Sequence, residues 1–129
     1  MLGAGCFEPV DSGLTVFGRE VVDEMNRVGM VIDLSHAGHK TSMEVIGYSK
    51  RPVAVTHANP NAWHATPRNL HHDLLQALSE TGGMVGFSLY PHHLKSGSEC
   101  SLEEFSDMAS NMIQTYGSKT FGIGSDLCQ

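Results

Sequence analysis

At 129 residues, with 40% hydrophobic and 17% charged side chains, the chain has the size and composition of one soluble globular domain. A net charge of -6 with eight Lys and Arg leaves no basic stripe for nucleic acid, and no apolar run approaches the roughly 20 residues that span a bilayer. Cys6, Cys100 and Cys128 show no paired spacing and fit a reducing compartment better than a disulfide framework. The start, Met1-Leu-Gly-Ala-Gly, lacks the charged and apolar regions of a signal peptide, so a cytoplasmic protein is predicted.

In chain order, a Gly-rich irregular start gives way to a helix that Thr15 can cap. Phe17, Val21, Met25 and Val28 form its apolar stripe, and Gly29 ends it. A strand over 30–35 follows. Thr41 and Glu44 have capping-box spacing for the next helix, which stops before Pro52. A strand over 52–57 leads into a long polar loop from His57 to Leu70. Leu74, Leu75 and Leu78 mark a helix over 72–81, closed by Gly82-Gly83. After a strand over 84–90 and a loop over 91–100, Ser101 and Glu104 form a second capping box. That helix buries Phe105, Met108, Met112, Ile113 and Tyr116 and ends at Gly117, and a strand over 120–126 follows.

Strict alternation of helix and strand, with no hairpin signal, predicts right-handed crossovers and a parallel α/β sheet. Four strands are half of an eight-stranded (β/α)8 barrel, which takes about 250 residues when complete. The expected architecture is thus the C-terminal half of a TIM-type barrel, one partial domain over 1–129, truncated at both ends. The two-residue period of a strand places Val53 and Val55 on the face of His57, and Gly122 and Gly124 on that of Asp126.

Barrel enzymes gather their chemistry at the C-terminal ends of the strands, and three predicted strands end on chemically capable groups. His36 and His57 close neighbouring strands, and two neutral imidazoles there can converge on one metal ion. Asp33 faces the other way and reads as structural. Asp126 stands at the rim, where a carboxylate can take a proton from a water acidified by a metal, or cap a helix. Arg68, in the loop after His57, has the planar fork that clamps a carboxylate, although a loop arginine is usually a surface group. His71-His72-Asp73 resembles a metal motif but opens a helix, so Asp73 reads as a partner for first-turn amides. His92-His93 reads as a solvated loop pair, and His39 and His64 have no evident partner. The chain carries no phosphate loop and no nucleophile elbow.

Taken together, these residues resemble the membrane (renal) dipeptidase family, peptidase family M19 of the amidohydrolase superfamily. The resemblance rests on Ser12-Gly-Leu-Thr-Val-Phe-Gly-Arg-Glu-Val-Val22, Glu24-Met-Asn-Arg-Val-Gly-Met30, Ile32-Asp-Leu-Ser-His-Ala37 and Ser49-Lys-Arg-Pro-Val53. It continues through Thr66-Pro-Arg-Asn-Leu70, Gly82-Gly-Met-Val-Gly86 and Gly122-Ile-Gly-Ser-Asp126. It implies a (β/α)8 barrel with two Zn²⁺ ions that cleaves dipeptides bearing a free C-terminal carboxylate. By it, His36 and His57 match the histidines of the second zinc, Arg68 the arginine on the substrate carboxylate, and Asp126 the rim aspartate that handles the proton. The His-x-Asp of the first strand and the bridging glutamate that the family also needs are not in this sequence.

The expected partner is a small dipeptide, with no nucleic acid and no membrane segment in this chain; association into a homo-oligomer is left open. Two other readings stand beside the enzyme. The chain alone is expected to be an inactive truncated product of a dipeptidase parent. Alternatively, the parent is another amidohydrolase acting on lactam or N-acyl amino acid substrates, sharing the metals and differing at the carboxylate clamp.

Overall fold

The computed structural model describes residues 1–127, so Cys128 lies outside the described residues. Helix α1 spans Val16–Val28; the Thr15 hydroxyl accepts the Gly18 amide at 2.9 Å, and Gly29 closes the helix with φ 76°. Its buried face is rotated from the predicted stripe, of which Met25 packs against the core. Gly18, Val22 and Asn26 face inward, while Phe17 and Val28 are 59% and 52% exposed. The cause is the N-terminal segment. The Leu2 carbonyl accepts the Thr15 amide at 2.9 Å and lies against Gly18, where a Cβ would collide with it. Asn26 then ties α1 to the next connection, its Oδ1 accepting the Lys50 amide at 2.8 Å.

Helix α2, His39–Tyr48, begins two residues before Thr41, and the predicted Thr41–Glu44 box does not form. Asp11 takes its place, accepting the Thr41 amide at 3.1 Å and the Thr41 hydroxyl at 2.7 Å, while Glu44 accepts the Leu14 amide at 2.8 Å. A carboxylate from a distant segment thus satisfies a first-turn donor. Helix α3 spans His72–Glu80, and α4 spans Leu102–Tyr116 with Ser101 accepting the Glu104 amide as predicted. The Glu104 side chain accepts instead from Ser96, and Ile113 is 39% exposed, leaving Met108 as the buried residue of α4.

Three parallel strands lie in the order β1 (Ala54–Ala58), β2 (Met84–Phe87), β3 (Phe121–Ile123). The predicted first strand over 30–35 contributes a single parallel bridge, Asp33 to Ala54. Ala54 donates to Ile32 and accepts from Leu34, but the next ladder donor, the Thr56 amide, goes to the Asp33 carboxylate at 3.1 Å. A side chain has taken the ladder's next partner, so three strands stand among the described residues where four were expected. Strand 84–90 is also shorter than predicted, because Ser88 and Tyr90 send their amides to side chains, Asn59 Oδ1 and Ser88 Oγ.

Val53, Val55 and Val85 pack with Val45, Leu74 and Leu78 in the core beneath the helices. The predicted sharing of a face by Val53, Val55 and His57 therefore fails. The cause is a register break in β1 between Val55 and Ala58, which shifts the strand's alternation at His57. At this break the Thr56 carbonyl lies against Gly86 and Gly124, and a Cβ at either position would run into it.

Candidate metal and substrate site

His36, His57, Arg68 and Asp126 come together around His57. The rings of His36 and His57 have centroids 5.2 Å apart at 61°. His57 Nε2 lies 4.0 Å from Asp126 Oδ2, beyond a direct hydrogen bond. Arg68 Nη2 donates to the His57 carbonyl at 3.2 Å. His36 and Asp126 are the non-glycine residues with positive φ among those described, 68° and 54°. Such a backbone costs on the order of 1–3 kcal/mol per residue and concentrates at functional sites. For His36 it is held in place by the N-terminal segment, through the Cys6 amide on the His36 carbonyl at 2.8 Å and a bridge from Gly5 to Ala37.

The tautomer of His57 follows from its neighbours. Asp33 accepts the Thr56 hydroxyl at 2.6 Å, the Ser35 hydroxyl at 2.8 Å, and the amides of Ser35 and Thr56 at 2.9 and 3.1 Å. Thr56 has then given its proton to Asp33, and its oxygen can only accept from His57 Nδ1, 3.0 Å away. In the neutral ring that leaves Nε2 as a bare lone pair, 4.0 Å from Asp126 Oδ2. Asp33 is structural, as expected, but it also orients a metal-capable imidazole through Thr56.

Partial desolvation of the carboxylate acts to raise the Asp33 pKa, and the hydrogen bonds from Thr56 and Ser35 outweigh it, so the pKa is lowered. A carboxylate whose folded pKa lies below its unfolded value of about 3.9 adds stability above that pH, and loses it as pH falls through the folded value. Asp33→Asn in the full-length polypeptide is therefore expected to cost about 1 kcal/mol at pH 7. That is small for a charged acceptor, because Asp33 is exposed in this chain. The gap to wild type should narrow steadily below about pH 4. Urea midpoints across that range check it.

Arg68 is 7% exposed, and its Nε is buried with no hydrogen-bond partner among the described residues. It is no surface arginine. The long loop is ordered around it by a bridge from Pro60 to Leu70 and by Asn69, which donates to the carbonyls of His64 and His93. His93 corrects a second expectation: it is 3% exposed, not solvated. Burial, followed by the Arg68 cation, lowers its pKa to about 4. The Pro91 that opens the turn Pro91–His93 was the one sequence signal of order there. Burial first, then Arg68 and His57, likewise lowers the pKa of His36 and favours its neutral, ligand form.

Two imidazoles this close, with the Nδ1 of one engaged by Thr56, suit a divalent transition-metal ion. Among the described residues, however, no group of three or more His, Cys, Asp or Glu is arranged to hold one. The donor set fits part of a metal site. His71 and Asp73 do not complete it, because Asp73 accepts the Leu74 amide at 2.9 Å and pairs with His39 Nε2 at 3.0 Å. His39 thereby has the partner that sequence reading could not name.

Residues 3–128 match the family model described as membrane dipeptidase, peptidase family M19. Dipeptidase aclJ of Aspergillus oryzae is 36% identical over 121 residues, covering 92% of this chain and 29% of that protein. A crystal structure of an amidohydrolase from Pseudomonas aeruginosa superposes with a TM-score of 0.94 at 40% identity, covering 100% of this chain and 39% of that one. A metallopeptidase from Rhodobacter sphaeroides, solved with a phosphinate mimic of the dipeptide L-Ala-D-Ala, gives a TM-score of 0.84 at 33% identity, covering 89% and 34%. The chain thus spans less than two fifths of the length of these relatives. The family's description overturns the cytoplasmic expectation, which rested on cysteine usage and the first residues of this segment alone. No helix among the described residues is long and apolar enough to cross a membrane. By sequence along nearly its whole length and by fold, the chain belongs to the membrane dipeptidase family, the metallopeptidases of family M19.

Proposed function

We propose that this segment is the C-terminal half of a (β/α)8 barrel and supplies part of the active site of a zinc dipeptidase. The parallel order of β1, β2 and β3 and the superposition onto about a third of larger relatives support the barrel reading. His36 and His57 would hold one zinc ion, with further ligands from outside this segment. When bound, zinc supplies Lewis-acid polarisation of the scissile carbonyl and lowers the pKa of a coordinated water.

The chain's own residues do the rest. Arg68, with its buried unpartnered Nε, receives the substrate's C-terminal carboxylate through a charge-assisted fork and sets the register of the peptide. This orphaned N–H carries the assignment, because burying an unpaired guanidinium donor is costly and an anionic partner relieves it. Asp126 takes the proton of the attacking water and passes it to the departing amine, a role its 4.0 Å separation from His57 Nε2 supports. Asp33 and Thr56 fix the His57 ring so that Nε2 faces the site.

Asp126→Asn in the full-length polypeptide tests the reading. We expect kcat on dipeptides to fall about 100-fold, the low end for loss of a general base, with KM changing little. An unchanged kcat would remove Asp126 from the proton's path. No dipeptide turnover by the zinc-loaded wild type would overturn the dipeptidase reading itself.

A further inference from the structure

A buried polar network joins the end of β1 to the loop after β2, and His93 stands at its centre. Asn59, two residues after His57, donates to the carbonyls of Ser88 and His93 at 3.0 and 3.1 Å. Asn69, next to Arg68, donates to the same His93 carbonyl at 3.1 Å. These bonds run through the backbone, so they fix the position of residue 93 whatever side chain it carries. The ring is held separately, by Ser88 Oγ at 2.8 Å from Nδ1.

That contact sets the tautomer. Ser88 Oγ accepts the Tyr90 amide at 3.2 Å, and its own proton has no acceptor among the described residues other than His93 Nδ1. Nδ1 therefore accepts, and the ring proton sits on Nε2, which has no hydrogen-bond partner among the described residues. The backbone of His93 is tied to Asn69, next to Arg68, and to Asn59, two residues after His57, and its ring packs edge-on against Tyr90 with centroids 5.2 Å apart. The ring thus carries a donor N–H in the network that braces the Arg68 loop, whose arginine also has an unused donor.

We propose that His93 is a second reader of the substrate carboxylate: its Nε2–H donates to the substrate's C-terminal carboxylate beside Arg68, so that the site demands a free carboxylate. The proposal rests on the dipeptide reading given above and adds a residue to it. A neutral donor suits this place, because it satisfies a carboxylate oxygen without setting a second positive charge against the Arg68 guanidinium. The charged arginine supplies the attraction, and His93 supplies direction.

The test is equilibrium binding to the zinc-loaded full-length polypeptide of two phosphinate dipeptide mimics, one ending in a free carboxylate and one in a carboxamide. Metal content and thermal melting are measured on the same samples. His93→Phe keeps an aromatic ring and removes the donor. It is expected to weaken the carboxylate mimic about 10-fold and the carboxamide less than twofold; His93→Gln, whose amide can reach the position of Nε2, should recover most of the loss. Equal weakening of both mimics, or no weakening of either, would overturn the role of His93 while leaving the dipeptidase reading in place. Failure of the wild type to bind either mimic would overturn that reading, and this one with it. Should His93→Phe lose its cooperative melt, Ser88→Ala decides, since it keeps the imidazole and removes the hydroxyl that holds it and sets its tautomer. A carboxylate-specific loss of about threefold supports the proposal, and an equal shift on both mimics overturns it.

Discussion

Replacing Arg68 by lysine in the full-length polypeptide is expected to lower kcat/KM for dipeptides by about 100- to 1,000-fold and for the corresponding dipeptide amides by less than about threefold. Lysine keeps the charge and loses the fork, and at a buried site truncating one partner of a charge pair costs on the order of 2–5 kcal/mol. Two features of the structure make the loss large. Arg68 is 7% exposed, so a lysine there would have to hold a strongly hydrated ammonium away from water. Its Nη2 is already committed to the His57 carbonyl, which leaves Nε and the rest of the fork aimed by the protein and not by the substrate. Such preorganisation is what a flexible point charge cannot reproduce. Equal losses on dipeptides and amides would mean that Arg68 acts through the His57 carbonyl, as a brace for β1, and does not read the carboxylate.

Much of the candidate site was legible in the sequence because its residues end apolar or Gly-rich runs, although of them only His57 lies within a strand of the structure. An apolar run ending on His36 or His57, or a Gly-rich run ending on Asp126, states both the element and the position of the group on it. Arg68 was legible through the family resemblance, and its burial was not, since nothing in a polar loop announces the bridge from Pro60 to Leu70 that orders it. The helices α1, α3 and α4 appear where periodicity and caps place them. Most of what failed in the fold had one cause, which is that groups distant in sequence took backbone partners. Asp33 ended the first ladder after one bridge, Asp11 displaced the Thr41 box, and the Leu2 carbonyl over Gly18 turned α1 onto another face. His93 was missed for the same reason. Its burial comes from Asn59 and Asn69, 34 and 24 residues away, and no local pattern carries that information.

The register break in β1 shows how such long-range partners serve the site. A regular strand would put Val53, Val55 and His57 on one face, and the valines would leave the core that they form with Leu74 and Leu78. By slipping between Val55 and Ala58, the strand keeps its valines under the helices and still presents His57 toward Asp126. Gly86 and Gly124 allow this, because they leave room for the Thr56 carbonyl that the slip displaces.

The central claim, that His36 and His57 hold one of two zinc ions in the full-length polypeptide, is tested most directly by metal content. His57→Ala removes the imidazole whose Nε2 the Asp33–Thr56 chain leaves bare. A catalytic zinc has three protein ligands, and loss of one leaves too few to retain the ion through dialysis. Measured by elemental mass spectrometry on protein of unchanged melting behaviour, the wild type should carry about two equivalents of zinc per chain and His57→Ala about one, with dipeptide turnover lowered by about 1,000-fold. A His57→Ala protein that retains the full zinc complement of the wild type, or hydrolyses dipeptides at the wild-type rate, would contradict the account.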